Sequence, residues 1–276
     1  MIPIRDENPT HSTPYVTVGL IVLNSLIFLF QITRPDDAEQ LFTWKYGFVP
    51  AQLVNNEADF RRAMTENAPV TQAVDRQGRP LFYRATGQPV TIRQHLPVDE
   101  AAALPAWLNI FTCMFLHGGW MHLIGNMLYL WIFGNNIEDK LGPVLFVVFY
   151  LGTGVTGNLA HTWAEAGVVP LIGASGAISG VMGAYVLLFP RAKVVAVVPA
   201  YFYWWTIKLP AWLFLGIYIG LQNLFPAFRG GQSNVAHWAH IGGFAAGAAL
   251  IYLFPHRKYA AAPRPVYTDD DADIVI

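Results

Sequence analysis

The stretch YVTVGLIVLNSLIFLFQIT, residues 15–33, decides the class of this fold. It contains no Asp, Glu, Lys or Arg, and about 20 mostly apolar residues are enough for an α-helix to cross the hydrocarbon core of a membrane. Charged residues precede the stretch, as in a signal peptide, but no convincing small-residue cleavage site follows it. We therefore predict a retained membrane-spanning helix.

The composition of the whole chain agrees with this prediction. Of its 276 residues, 54% are hydrophobic and only 13% are charged, whereas soluble domains carry about a quarter charged residues. The formal net charge of -1 offers no basic surface for nucleic acid. The single cysteine, Cys113, excludes an internal disulfide and a cysteine-rich metal site.

Five further apolar runs follow the first. They cover residues 120–133, 145–164, 175–189, 211–225 and 236–254. With the first run they predict an all-α membrane protein, a bundle of six transmembrane helices whose membrane domain is residues 15–254. A shorter apolar run, residues 107–115, is expected to be an interfacial or re-entrant piece.

Basic residues in the short loops predict the orientation of the six spans. Six of them fall on one side: Arg5, Lys140, Arg191, Lys193, Arg257 and Lys258. Since Lys and Arg in short loops favour the cytoplasmic side, residues 1–14 and 255–276 are expected to be cytoplasmic. The plasma (inner) membrane is the expected location, and the acidic C-terminal tail is expected to be disordered.

A long polar segment, residues 34–105, separates the first two spans as an extended first loop, and the sequence assigns it no role. Aromatic residues within residues 41–53 predict contact with lipid headgroups. Residues 51–66 predict a polar helix, and residues 81–93 predict two short strands joined at residues 86–88.

Two polar residues in the apolar runs, Ser175 and His240, are candidates for chemistry, because polar groups inside membrane spans are expensive. Ser175 lies in the stretch GASG, where it fits either a nucleophile or the N-cap of the fourth helix. His240 lies in AHIGG, where it fits either a general base or a structural hydrogen bond to a backbone carbonyl.

Glycines suggest that the helices carrying these two residues touch. They are Gly176, Gly180 and Gly183 in the fourth run, and Gly243 and Gly247 in the sixth. Spacings of three or four place each set on one helix face, and such faces let transmembrane backbones approach closely. Close packing would bring the Ser175 hydroxyl near the His240 imidazole, although the same glycines also suit helix packing without catalysis.

His122 and Asn126, four residues apart in the second run, are expected on one helix face. Both can donate hydrogen bonds to one point, as acyl transfer requires at its oxyanion, or they can form a structural bond between helices. Histidine pairs such as His117 with His122 suggest a metal site only weakly, because the sequence has no HExxH motif.

Three stretches together resemble the rhomboid family of intramembrane serine proteases. They are HGGWMHLIGN at residues 117–126, GASG at residues 173–176 and AHIGG at residues 239–243. The resemblance implies a six-helix core, with Ser175 as nucleophile and His240 as general base without a carboxylate third member. It also implies an oxyanion hole made by His122, Asn126 and the backbone N–H of Ser175.

The resemblance implies a serine endopeptidase that cuts membrane proteins in or near their transmembrane segments, within the lipid bilayer and through an acyl-enzyme. It implies no cofactor and no metal, and it leaves the oligomeric state open. One departure is Ser179, because rhomboids often have an aromatic residue four positions after the nucleophile. The alternatives are a catalytically inactive relative, which the presence of both Ser175 and His240 opposes, and a transporter, which the lack of charged residues in the spans opposes.

Overall fold

The computed structural model describes residues 1–66, 70–72, 91–93, 97–200, 203–229 and 235–257. Its helices are, in chain order, α1 (Tyr15–Ile32), α2 (Asp36–Tyr46), α3 (Pro50–Val54), α4 (Glu57–Glu66), α5 (Val98–Ala101), α6 (Ala106–Thr112), α7 (Trp120–Tyr129), α8 (Asn135–Leu141), α9 (Pro143–Ala164), α10 (Ser175–Leu188), α11 (Ala211–Ile219), α12 (Phe225–Arg229) and α13 (His237–Leu250). Its strands are β1 (Ile2–Asp6), β2 (Val70–Gln72), β3 (Thr91–Arg93), β4 (Lys193–Ala200) and β5 (Tyr203–Pro210). A π-helical turn, Leu130–Gly134, joins α7 to α8, and a second one, Gly220–Leu224, joins α11 to α12.

Each of the six predicted apolar runs contains a helix. Within the described residues, three helices are long and apolar enough to cross a membrane: α1, α9 and the continuous run Ala211–Arg229. The helix α10 is shorter, with 14 residues, because Pro190 follows it closely. The count of six membrane spans therefore stays a prediction.

The helix α10 lies at the centre of the bundle, packed against α9 and α13. Glycine makes the contact with α13 possible. A Cβ on Gly243 would overlap the carbonyl oxygen of Gly176, and a Cβ on Gly247 would overlap the carbonyl oxygen of Gly180. Gly183 meets the carbonyl of Phe244 in the same way. The two helix backbones thus touch along a seam of glycines that begins beside Ser175.

The first and the last described residues of the chain lie at the same end of the helix bundle. Strand β1 pairs antiparallel with β4, which pairs antiparallel with β5 in a three-stranded sheet. The protein is mostly helical, but the prediction of an all-α fold is wrong for this sheet, whose strands lie outside the apolar runs. The N–H of Arg257, after the last helix, donates to the carbonyl of Lys140 at 2.7 Å. This end carries the predicted cytoplasmic residues, and its cytoplasmic location stays a prediction.

The start of α1 is anchored by a buried carboxylate from α8. The Glu138 side chain accepts hydrogen bonds from the backbone N–H groups of Val16 and Thr17, at 2.8 and 2.7 Å, and from the Thr17 hydroxyl at 2.8 Å. The first N–H groups of a helix have no acceptor within the helix. Glu138 therefore supplies the N-terminal cap that the sequence of α1 lacks.

We predict that Glu138→Ala lowers the free energy of unfolding by about 1–3 kcal/mol, because it leaves buried donors unsatisfied. Glu138→Gln retains one acceptor oxygen and should lower it less. Thermal unfolding of the purified protein in one detergent measures both changes. Equal melting temperatures for wild type and Glu138→Ala would contradict this account of the cap.

The segment of residues 34–105 has its own small apolar cluster. Trp44, Val49, Phe60 and Met64 are buried in it, together with Val168 from the α9–α10 connection. The prediction of headgroup contact is wrong for Trp44 and Phe48, because both side chains are buried in protein. Trp44 packs in this cluster, whereas Phe48 packs in a neighbouring one with Cys113. The helix α3 contacts α9, and Phe48 forms an antiparallel bridge with Leu171 of the α9–α10 connection.

Other predictions for this segment have mixed outcomes. The polar helix predicted over residues 51–66 is present as α4 only from Glu57 onward, because the chain leaves the helical conformation at Asn55, after α3. Strand β3 is present, but it pairs with β2, and the predicted turn at residues 86–88 lies outside the described residues. The tail from residue 258 onward also lies outside them.

Candidate active site

Ser175 is the first residue of α10 and follows a sharp turn of the backbone. The N-cap position belongs to Ala174, and no side-chain hydrogen bond caps this helix. The interpretation of Ser175 as an N-cap is therefore wrong. Gly173, two residues earlier, has a φ of 119°, a conformation that favours glycine. This turn leaves the Ser175 side chain free to face α13.

The side chain that meets Ser175 is His240 of α13. Its Nε2 atom lies 2.7 Å from the Ser175 Oγ atom, which is hydrogen-bond distance. Its Nδ1 atom lies 2.6 Å from Oδ1 of Asn223. Both ring nitrogens thus face side-chain partners, whereas the structural alternative required a backbone carbonyl. The packing of α10 on α13 therefore places a serine hydroxyl and an imidazole at the distance that nucleophilic catalysis would require.

His122 of α7 lies on the other side of the turn before α10. The backbone N–H of Gly118 donates to His122 Nδ1 at 3.3 Å, so the neutral ring carries its proton on Nε2. That Nε2 atom faces Gly173 so closely that a Cβ built on Gly173 would lie 2.7 Å from it. The structure therefore brings an imidazole N–H donor to the turn that carries Ser175.

Asn126 is buried one turn after His122 on α7. Its side-chain Nδ2 donates to the backbone carbonyl of His122 at 2.9 Å. A primary amide has two N–H groups, so this bond leaves one of them for another acceptor. The bond lies within one helix, and it holds the amide on the same face as the His122 side chain.

Sequence reasoning missed two residues of this site, Asn223 and Tyr218, which both belong to the fifth apolar run. The hydroxyl of Tyr218 lies 2.9 Å from the Ser179 hydroxyl, and its ring stacks on the His240 ring with centroids 6.4 Å apart. Asn223 is 2% exposed. Asn223 and its neighbour Gln222 are polar amides within a largely apolar run, and this was the signal that could have found Asn223.

We predict that Gly173→Ala reduces the reactivity of the Ser175 hydroxyl by about 10²-fold, since a displacement of about 1 Å at a reacting group has an effect of that size. The new methyl group would collide with His122 Nε2, and alanine would be strained at this φ. Rates of covalent labelling of Ser175 by a fluorophosphonate probe, compared between the purified variants, measure the effect.

The matched control is Gly119→Ala. Gly119 also has a positive φ, of 153°, but a Cβ there meets no atom of the described residues within 4 Å. This variant carries backbone strain without the collision. Equal labelling rates of the two variants would show that backbone strain, and not the contact with His122, accounts for the loss.

Comparison with known proteins adds an independent observation. The sequence model of the Rhomboid domain matches residues 105–257, which is more than half of the chain. The chain belongs to the rhomboid family. The matched region contains every residue of the candidate site, from His122 to His240, and the family is known for intramembrane serine proteases.

Curated relatives of this rhomboid come from several organisms. It is 33% identical over 141 residues to Rhomboid protein 1, mitochondrial, of Saccharomyces cerevisiae, which covers 49% of this chain and 38% of the yeast protein. It is 30% identical over 227 residues to RHOMBOID-like protein 1 of Arabidopsis thaliana, covering 76% of this chain and 54% of the plant protein. It is 40% identical over 87 residues to Rhomboid protease GluP of Bacillus subtilis, covering 31% of this chain and 17% of that protein.

These matches identify the family, but the activity of this chain and its membrane location remain proposals. The matched stretches span 38% to 54% of the yeast and the plant relative, so the activity of those whole proteins does not transfer directly to this rhomboid. Relatives are named for mitochondria and for chloroplasts. The expected plasma-membrane location therefore gains no support from similarity.

Proposed function

We propose that this rhomboid is an intramembrane serine endopeptidase that hydrolyses peptide bonds in or near transmembrane segments. Ser175 is the nucleophile and His240 is the general base. The observation that carries the proposal is the 2.7 Å distance between Ser175 Oγ and His240 Nε2. A serine hydroxyl is a poor nucleophile until a neighbouring base accepts its proton, and this geometry supplies that base.

In the first half of the reaction, His240 Nε2 accepts the hydroxyl proton while Ser175 Oγ attacks the carbonyl carbon of the scissile bond. The resulting oxyanion lies within reach of donors on α7 and α10. His122 offers its Nε2–H and Asn126 its second amide N–H. Ser175 is the first residue of its helix, so its backbone N–H has no acceptor within α10. These donors stabilise the charge that develops in the transition state.

The tetrahedral intermediate then collapses. The C–N bond breaks, and the imidazolium of His240 gives its proton to the leaving amine, which leaves an ester on Ser175. A water molecule transfers a proton to His240 Nε2 and attacks the ester carbonyl. The second intermediate expels Ser175 Oγ, which takes the proton back. The products are a new amino terminus and a new carboxyl terminus, and the enzyme returns to its first state.

The substrate is proposed to enter from the bilayer beside α11. Trp212 on this helix is 56% exposed, whereas Phe214 packs on Tyr129 with ring centroids 6.5 Å apart and on Phe133 at 6.3 Å. Displacement of α11 would therefore break a small number of aromatic contacts. A substrate helix must unwind locally, because its peptide bonds are otherwise hydrogen-bonded within the helix.

The partners follow from this route: transmembrane protein substrates and the surrounding lipid. We propose a multi-pass integral membrane protein whose helix bundle is embedded in the plasma membrane. Both termini of the chain are proposed to lie in the cytoplasm. The segment of residues 226–235, predicted as a loop, is proposed to cover the site from outside the bundle. The loop prediction is wrong for residues 226–229, which belong to α12. Residues 230–234 of the segment lie outside the described residues.

The test is cleavage of a reporter whose transmembrane segment contains small and helix-breaking residues, reconstituted with the purified rhomboid in liposomes. The wild type is expected to cut within or beside that segment, and Ser175→Ala is expected to leave the reporter intact. Binding of the reporter without any cleavage by the wild type would overturn the proposal in favour of a client-binding role.

A further inference from the structure

The second nitrogen of the His240 ring has a partner that a Ser–His pair does not require. Oδ1 of Asn223 lies 2.6 Å from His240 Nδ1, and Asn223 is almost fully buried at 2% exposure. A buried polar side chain is costly unless it is hydrogen-bonded, so this contact stabilises both groups. Together the three side chains form the chain Ser175–His240–Asn223.

The amide of Asn223 can be oriented without ambiguity. Its Nδ2 atom donates to the backbone carbonyl of Tyr218 at 2.9 Å, and that carbonyl can only accept. Oδ1 is therefore the atom that faces the imidazole, and as an acceptor it requires a proton on His240 Nδ1. The neutral ring then has its lone pair on Nε2, which faces the Ser175 hydroxyl. This tautomer is the one that a general base needs.

A second contact fixes the plane of the same ring. The Tyr218 ring stacks on the His240 ring at an interplanar angle of 29°. The Tyr218 hydroxyl shares a hydrogen bond of 2.9 Å with buried Ser179. Ser179 occupies the position where an aromatic residue was expected to lie beside the histidine. Here the aromatic ring comes from the fifth apolar run, and Ser179 holds its hydroxyl.

The π-helical turn Gly220–Leu224 explains why Tyr218 and Asn223 act together. Five residues of an α-helix turn through about 500°, so residues five apart point in directions about 140° apart. A π-helical turn pairs residue i with residue i+5. The extra residue therefore brings Asn223 onto the face of Tyr218, and both face His240.

We propose that Asn223 is a positioning residue that holds His240 in the tautomer and orientation of a general base. The inference rests on the proposed protease function and deepens it. Tyr218 assists by stacking on the ring. Both residues belong to the helical run Ala211–Arg229, beside which the substrate is proposed to enter, so the orientation of the base depends on how that run packs. A displacement of the run that breaks these contacts releases the imidazole from its partners.

The experiment compares Asn223→Leu with Asn223→Asp in liposomes containing the transmembrane reporter. Leucine removes the acceptor, and we expect kcat to fall by about 10²-fold, the lower range for loss of general-base catalysis. KM should stay within about twofold, because no substrate contact is removed. Aspartate keeps an acceptor oxygen and should recover at least about tenfold of the lost kcat.

The matched control is Gln222→Ala, at the preceding residue of the same π-helical turn. The Gln222 side chain is exposed, so kcat and KM should equal those of the wild type. Melting temperatures in detergent check that the variants fold, and Asn223→Ala replaces the leucine variant if leucine lowers its melting temperature.

Two failures can be told apart. If the wild type neither cuts the reporter nor reacts at Ser175, the proposed function fails and the positioning role fails with it. If the wild type is active while Asn223→Leu keeps its kcat, only the positioning role is overturned. An Asn223→Asp variant as slow as Asn223→Leu, or a loss confined to KM, would also overturn it.

Discussion

His240→Ala is expected to slow cleavage of a transmembrane substrate by at least about 10⁴-fold, because loss of a nucleophile's base removes a group that acts together with the nucleophile. The Ser175 hydroxyl would keep its place at the start of α10 but would lose the acceptor 2.7 Å away. Without that acceptor, attack on the carbonyl has to form an alkoxide unaided. Initial rates in liposomes at fixed enzyme and substrate density measure the effect.

The comparison for this prediction is His237→Ala. His237 lies one turn before His240 on α13, and its Nδ1 atom is 3.5 Å from the same Asn223 oxygen. Since His237 is not the base for Ser175, we expect the cleavage rate of His237→Ala to stay within about tenfold of the wild-type rate. This decrease is much smaller than the one that loss of a general base causes. A His240→Ala variant as active as His237→Ala would disprove the assignment of the base.

The second large effect is on stability. Gly247→Ala is expected to lower the free energy of unfolding by about 3 kcal/mol, the upper end of the typical cost of overpacking, because the atoms it meets cannot move aside. The new methyl group would meet the carbonyl oxygen and carbon of Gly180, which are backbone atoms of α10. Relief requires α10 and α13 to separate, and these helices carry Ser175 and His240. Activity should therefore fall together with stability.

Gly152→Ala is the matched control, since it also places a methyl group on a long helix of the bundle. A Cβ at Gly152 meets no atom of the described residues within 4 Å, so its melting temperature should equal or exceed that of the wild type. Thermal unfolding in one detergent compares the two variants. Equal melting temperatures for Gly247→Ala and the wild type would contradict the claim that close glycine packing holds these helices together.

Much of the fold could be predicted from the sequence, because apolar run length is a direct consequence of the thickness of a bilayer. A helix lies in every predicted run, including residues 15–33. The burial of Trp44 and Phe48 could not be predicted in this way. An aromatic residue near a membrane has the same sequence signature whether it faces lipid headgroups or packs beneath a neighbouring segment.

The candidate site also has residues that could be predicted from the sequence and one that was missed. Ser175 and His240 each had a structural alternative, and glycine spacing together with the family resemblance brought them into one hypothesis. The amide of Asn223 was a signal that was overlooked, and a regular 3.6-residue period would also have placed it on a different face from Tyr218. The π-helical turn brings the two residues onto one face, and an apolar run carries no sequence signal for such a turn. We predicted a serine–histidine pair without a carboxylate third member, and the amide of Asn223 that faces His240 was not foreseen.

The central claim is that Ser175 is a nucleophile activated by His240, and covalent labelling tests it most directly. The purified protein is treated with a fluorophosphonate probe, and the modified peptide is identified by mass spectrometry. We expect one adduct on Ser175 in the wild type, no adduct in Ser175→Ala, and slow labelling in His240→Ala. Equal labelling of the wild type and Ser175→Ala would contradict the account.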